Sequence, residues 1–147
     1  MGSVKPAACA YSQIFHLADS NRDSSLFLLD VAHTNTGHKN RKNWEDHERY
    51  LKYLAPLLKA GHTPLVVAGD FNQRIPQGRQ PQRMYDALME TFNGLTVSTV
   101  QTDAPALIDH ITHSPNLRAE SLVIIPDADE LGKLSDHRGA VARFVKV

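Results

Sequence analysis

Two short apolar runs with a helical stretch between them constrain this chain more than any other feature. LFLLDVAH at 26–33 is nearly continuous apolar, and Leu65, Val66, Val67 and Ala68 form a second run bounded by Pro64 and Gly69. Such runs read as strands buried on both faces. Between them Trp44, His47, Tyr50 or Leu51, Leu54 and Leu57 or Leu58 recur at helical spacing, with Glu45, Asp46 and Glu48 crowding the first turn. That spacing predicts a helix over 44–60, with Asn43 as its N-cap and Gly61 as its stop. Pro56 stands inside it, where a proline costs about 3 kcal/mol, so a kink or a break into two shorter helices is expected. Strand, helix and strand in that order form a crossover unit between neighbouring strands of one sheet. The fold class is α/β (α+β).

Both apolar runs end in polar residues. The first ends in His33, Thr34 and Asn35, and the second in Asp70, Phe71 and Asn72. Ligand and catalytic groups in α/β sheets sit just past the carboxyl ends of strands, where side chains converge on a cleft. Gly69 lets the backbone turn sharply. Asp70 offers a carboxylate to a hard cation or a water, and Asn72 an amide that can donate to a phosphoryl oxygen. Gly, Asp and Asn are also ordinary turn residues, so the case for chemistry depends on what else reaches this edge.

The remaining pattern supplies further strands. Residues 10–17 (AYSQIFHL) read as a strand that forms a hairpin with 26–33 through the polar turn at 18–25. After Asn72 comes a Pro- and Gly-punctuated loop over 73–83 carrying Arg74, Arg79 and Arg83. Met84, Leu88 and Phe92 then mark one face of a short helix over 84–92. Strands are expected at 95–100, 107–112, 119–125 and 139–147, with an acidic loop at 126–134. No repeat, low-complexity tract or linker divides the chain, which reads as a single unit over 1–147.

Composition removes several classes of function. Sixteen basic and sixteen acidic side chains leave no global field to attract a polyanion, so any such affinity is local. One cysteine, Cys9, excludes an internal disulfide and a cysteine zinc cluster, which fits a reducing compartment. No apolar run approaches the roughly 20 residues of a membrane span, and MGSVKPAACA lacks the basic leader and apolar core of a signal peptide. A cytoplasmic location is expected.

Asp109 is the most informative acid. It precedes His110 and lies between Ile108 and Ile111 in an apolar strand, where an unpaired charge is costly. A histidine is its natural partner, because a carboxylate on one imidazole nitrogen fixes the tautomer and leaves the other as a proton acceptor. His110 should face the opposite side of the strand from its neighbours. A zinc site built from His33, His110 and His113 lacks close ligand spacing.

Three short motifs, GDFN at 69–72, IDHI at 108–111 and SDH at 135–137, occur in that order, with His33 in VAHTN upstream. Together they resemble the endonuclease/exonuclease/phosphatase family of metal-dependent phosphoesterases. The resemblance implies the C-terminal half of a four-layer α-β-β-α sandwich, a mixed sheet flanked by helices. It implies that Asp70 binds or orients an activated water, Asn72 holds the phosphate, and Asp136 joins Asp70 as a metal ligand; Arg74, on the flanking loop, is a further candidate phosphate contact on its charge and place in the sequence. His137 becomes the general base or a phosphate contact oriented by Asp109, and His33 steadies the phosphate or protonates the leaving group. Mg²⁺ or Mn²⁺ is the implied cofactor.

The departure from the family pattern matters equally. The Asn and metal-binding Glu of the family's first half have no counterpart, and Glu45 and Glu48 lie downstream of where those acids belong. Weak metal binding and little activity are therefore expected. The function implied is metal-dependent hydrolysis of a phosphodiester or phosphomonoester, nuclease-type foremost, on a phosphate-ester partner such as nucleic acid, a phospholipid or an inositol phosphate. The alternative is a non-catalytic binding or assembly module on the same scaffold, prone to self-association through exposed sheet.

Overall fold

The computed structural model describes residues 27–31, 41–59, 64–100 and 106–147, with the backbone alone at 27–31 and 41–43. The expected strand at 10–17, its hairpin, Gly61 and His33 lie outside the described residues. A mixed sheet has the order β1 (Phe27–Val31), β2 (Leu65–Asp70), β4 (Asp109–His113), β3 (Thr96–Val97). β1 and β2 run parallel, as the crossover pattern requires, while β4 is antiparallel to both β2 and β3. A second, antiparallel ribbon pairs β5 (Leu117–Ile125) with β8 (Gly139–Lys146), with a register shift between Ala119 and Ser121.

Helix α1 (Arg41–Lys59) is the crossover and α2 (Gln82–Thr91) packs beside it. Leu51, Leu54 and Leu58 of α1 meet Met84 and Leu88 of α2, with Leu65 and Val67 of β2 beneath them and Phe71, Ile75 and Phe92 closing the cluster. Thr91 Oγ1 donates to the Leu51 carbonyl and ties the two helices together. On the other side of the sheet Val66 and Ile111 pack with Leu117, Ala140, Ala142 and Phe144. Helices, mixed sheet and ribbon thus form successive layers, part of an α-β-β-α sandwich.

Several expectations are corrected. α1 starts at Arg41, so Asn43 lies inside the helix and is not its N-cap. The helix also runs unbroken through Pro56 to Lys59. Pro56 and Lys52, whose carbonyl loses its partner, both lie on the exposed face, away from the packing that holds the helix. β2 continues past the apolar run to Asp70, so the strand does end in the acid. The strand expected at 95–100 shrinks to Thr96–Val97 before a turn. The acidic stretch after Pro126 is a small hairpin, β6 (Ala128–Asp129) paired with β7 (Gly132–Lys133). Asp129 Oδ1 accepts from the Leu131 amide inside it, and Gly132 takes φ 127°, which suits a residue without Cβ.

Candidate active site

Strand register places the first two acids. Asp70 is directly opposite Asp109 across the β2–β4 pair. Side chains alternate along a strand, and Val66, Ala68 and Ile111 face the β5–β8 ribbon. Asp70 lies two residues beyond Ala68 and Asp109 two before Ile111, so both carboxylates leave the same face at the same end of the sheet. Facing like charges destabilise an antiparallel pair. The ribbon supplies the third group, His137, in the loop that leads into β8.

His137 stands between the acids. Its Nδ1 is 3.3 Å from Asp109 Oδ2, and its Nε2 is 3.7 Å from Asp70 Oδ2 and 3.5 Å from Asp136 Oδ1. A neutral imidazole carries one N–H and can donate to only one of these carboxylates. One ligand atom from each of Asp70, Asp109 and His137 lies within 4.8 Å of the others. Asp136, expected beside Asp70 as a ligand, has a side chain 78% exposed and meets this group through His137 Nε2. Burial raises the Asp109 pKa above its ordinary value, opposed by His137 and reinforced by the charges of Asp70 and Asp136. Asp109 Oδ1 is buried with no hydrogen-bond partner among the described residues. A buried, unpaired carboxylate oxygen beside a second carboxylate and an imidazole fits a divalent cation.

The turn after β2 sets Asn72. The Phe71 amide donates to the Ile108 carbonyl at 3.0 Å, and the Asn72 amide donates to Asp70 Oδ1 at 2.8 Å. Asn72 itself has φ 53°, a left-handed conformation that asparagine tolerates better than most residues. Arg74 is exposed, and its Nε donates to the Ala106 carbonyl at 3.3 Å. The structure therefore brings together Asp70, Asp109 and His137, with Asp136 at the rim and Asn72 in the adjoining turn. Glu48 lies apart, paired with Lys52 and Arg83.

Two histidines gain significance only in the fold. His47, read from sequence as one position of an apolar helix face, is 1% exposed, and burial lowers its pKa to about 4 against the opposing charge of Asp70. His110 points to the helix side, as strand alternation required. It is fully buried, near the Phe71 and Phe92 rings, and bonded through both ring nitrogens. The sequence signal for His110 was an imidazole at an apolar strand position; its partners, Thr99 and Gln73, carry no local pattern. His113 is likewise structural, with Nδ1 donating to the Ser114 carbonyl and its ring against Phe144.

A mixed sheet layered between two helices and a ribbon, with two facing acids and a histidine at one sheet end, defines a partial α-β-β-α sandwich with a cation-type site. The chain belongs to the endonuclease/exonuclease/phosphatase family, whose model matches residues 14–137. That family is one of divalent-metal-dependent phosphoesterases, and the cluster described above is a possible metal-binding group. Among solved structures, the chain is similar to an endonuclease/exonuclease/phosphatase family protein from Bacteroides thetaiotaomicron, with 17% identity and a TM-score of 0.54, covering 87% of this chain and 53% of that one. Similarity to humanized D. rerio TDP2 has 16% identity and a TM-score of 0.59, covering 84% and 56%. Similarity to the human Nocturnin catalytic domain, solved with a bound sulfate anion, has 19% identity and a TM-score of 0.53, covering 90% and 50%. At these identities the likeness carries the fold alone. The chain spans about half the length of the solved structures it matches. No curated protein sequence matches it. Among the described residues no helix is long and apolar enough to cross a membrane.

Proposed function

We propose that this chain carries the phosphate-cleaving half of a metal-dependent phosphoesterase site, acting on a phosphodiester or phosphomonoester, nuclease-type foremost. The observation that carries the reading is Asp70 opposite Asp109 with His137 between them. Asp70 and Asp109, the latter through its unpartnered Oδ1, would hold the cation, Mg²⁺ or Mn²⁺, with Asp136 at the rim and His137 left to handle protons. When bound, that cation supplies charge neutralisation at the phosphoryl oxygens. Asp109 holds His137 through Nδ1, which directs Nε2 toward Asp70 and toward a water or a phosphate oxygen. Nε2 is then the atom that accepts or returns a proton. Asn72 and Arg74 bind and orient the phosphate, and His33 is assigned the leaving-group side. Nucleic acid is the foremost partner, with Arg79 on the same loop as Arg74 available to its phosphates. The single Cys9 supports a reducing, cytoplasmic setting.

Mn²⁺- or Mg²⁺-dependent release of nitrophenolate from bis(p-nitrophenyl) phosphate, set against p-nitrophenyl phosphate, tests the reaction. Asp70→Ala or His137→Ala should lower the rate by about 10²- to 10⁴-fold. An unchanged rate would remove both residues from the mechanism. One observation favours a non-catalytic module instead: among the described residues the cluster offers two carboxylates and an imidazole but no glutamate. Tight cation binding with no turnover of either ester would select that reading.

A further inference from the structure

We infer that His110 is a positioning residue: its ring latches the Asp70–Gln73 turn to β4 and thereby sets Asn72 and Asp70 relative to Asp109. Three hydrogen bonds and one backbone pairing define the latch. The Gln73 carbonyl can only accept, so the 2.8 Å contact puts the proton on His110 Nε2. His110 Nδ1 is then a lone pair, and at 3.0 Å it accepts from the Thr99 hydroxyl. Thr99 Oγ1 in turn accepts from the Ile111 amide at 3.3 Å. The backbone of His110 closes the circuit, since it pairs with Gly69 in the β2–β4 register. One residue therefore grips the turn on both sides of Asp70, Phe71 and Asn72.

The turn needs such a grip. Asn72 occupies a left-handed conformation that costs of order 1 kcal/mol or more and persists only where its surroundings hold it. Upstream of Asn72 the turn is held by the Phe71 amide on Ile108 and the Asn72 amide on Asp70 Oδ1. Downstream, the His110 ring is the buried partner of the Gln73 carbonyl. His110 reaches this place from the face opposite Asp109, so adjacent residues of one strand serve the site from two sides: Asp109 supplies a carboxylate and His110 fixes the loop that presents Asn72. The functional consequence rests on the phosphoesterase reading above, whereas the geometric claim does not.

The test separates the two. Amide exchange in the ligand-free chain reads the turn directly, and long-range ¹H–¹⁵N correlation reads the ring proton of His110. The wild-type ring should show the neutral Nε2–H form. His110→Phe keeps a ring of similar size but leaves the Gln73 carbonyl without its buried donor. Exchange at Asn72 should then rise about tenfold relative to Val67, the factor that goes with losing one buried hydrogen bond. His110→Gln, whose amide can reach the same carbonyl as Nε2, should restore protection to within about threefold. Thr99→Val serves if His110→Phe does not fold: it leaves the ring in place without the hydroxyl that holds Nδ1, so exchange at Asn72 should rise relative to Val67 while the Nε2–H form, set by the Gln73 carbonyl, persists. An Nδ1–H ring in the wild type, equal exchange ratios in His110→Phe and wild type, or no rescue by His110→Gln would each overturn the inference. A held turn in a protein that neither shifts its Tm with Mn²⁺ nor hydrolyses either nitrophenyl ester would sink the proposed function and leave the latch standing.

Discussion

The carboxylates of Asp70 and Asp109 face each other across a strand pair, an arrangement that disfavours the folded chain unless something positive lies between them. Asp70→Asn keeps an oxygen to accept from the Asn72 amide and removes one of the two charges. Without divalent cation it should stabilise the protein by about 0.2–1 kcal/mol, seen as a higher urea midpoint. A lower midpoint would mean that attraction between Asp70 and His137 outweighs the repulsion. His47 makes a second prediction at this scale. Its folded-state pKa of about 4 lies below the 6.5 of an exposed histidine. Between those values the unfolded chain binds a proton that the folded chain does not, so stability is whole above about pH 6.5 and falls as the pH drops toward 4. The loss from this group is at most about 3 kcal/mol across that interval. Burial shifts His110 the same way, so the two losses add. Urea midpoints at about pH 7.5 and 5 should differ less in His47→Leu than in wild type, and an equal difference in both would place the pH dependence elsewhere.

α1 shows how far periodicity can be trusted in an element. Leu51 is 0% exposed and at the centre of the helix–sheet cluster, whereas Leu57, apolar and on the same helix, is 55% exposed. Leu51→Ala should cost about 2–5 kcal/mol by thermal denaturation and Leu57→Ala within about 0.5 kcal/mol of nothing. From sequence, Leu57 and Leu58 were interchangeable; packing against α2 and β2 chose Leu58. β4 shows the reverse, a pattern with little periodic signal that the fold uses on both faces. Asp109, Ile111 and His113 serve the ribbon side, while His110 and Thr112 serve the helices. Alternation alone places them, but not the Thr99 hydroxyl or the Gln73 carbonyl that satisfy His110, because those partners come from other segments of the chain.

At the scale of the whole molecule the site joins the layers: two acids come from the mixed sheet and the histidine from the entry to the ribbon. A cation held between the two acids stabilises the folded state through linkage. At a free concentration of about a hundred times its Kd it adds about 2.7 kcal/mol, or roughly 9 °C in Tm for a chain of this length. Differential scanning calorimetry with Mn²⁺ and with EDTA checks this, and Asp109→Ala should abolish the difference. If Mn²⁺ fails to move Tm at any concentration, the two acids are not a cation site.

The sequence by itself determined the crossover from β1 through α1 to β2, the apolar faces of both helices, and the identity of Asp70, Asn72, Asp109, Asp136 and His137 as the residues of interest, because hydrophobic periodicity and short motifs are local. Only the tertiary structure decided that Asp70 stands opposite Asp109, that Asp136 turns outward while His137 turns in, that α1 passes through Pro56, and that His110 holds the turn beside the site. Each of those depends on strand register or on a partner dozens of residues away, where contact geometry, which no local pattern encodes, sets the energy.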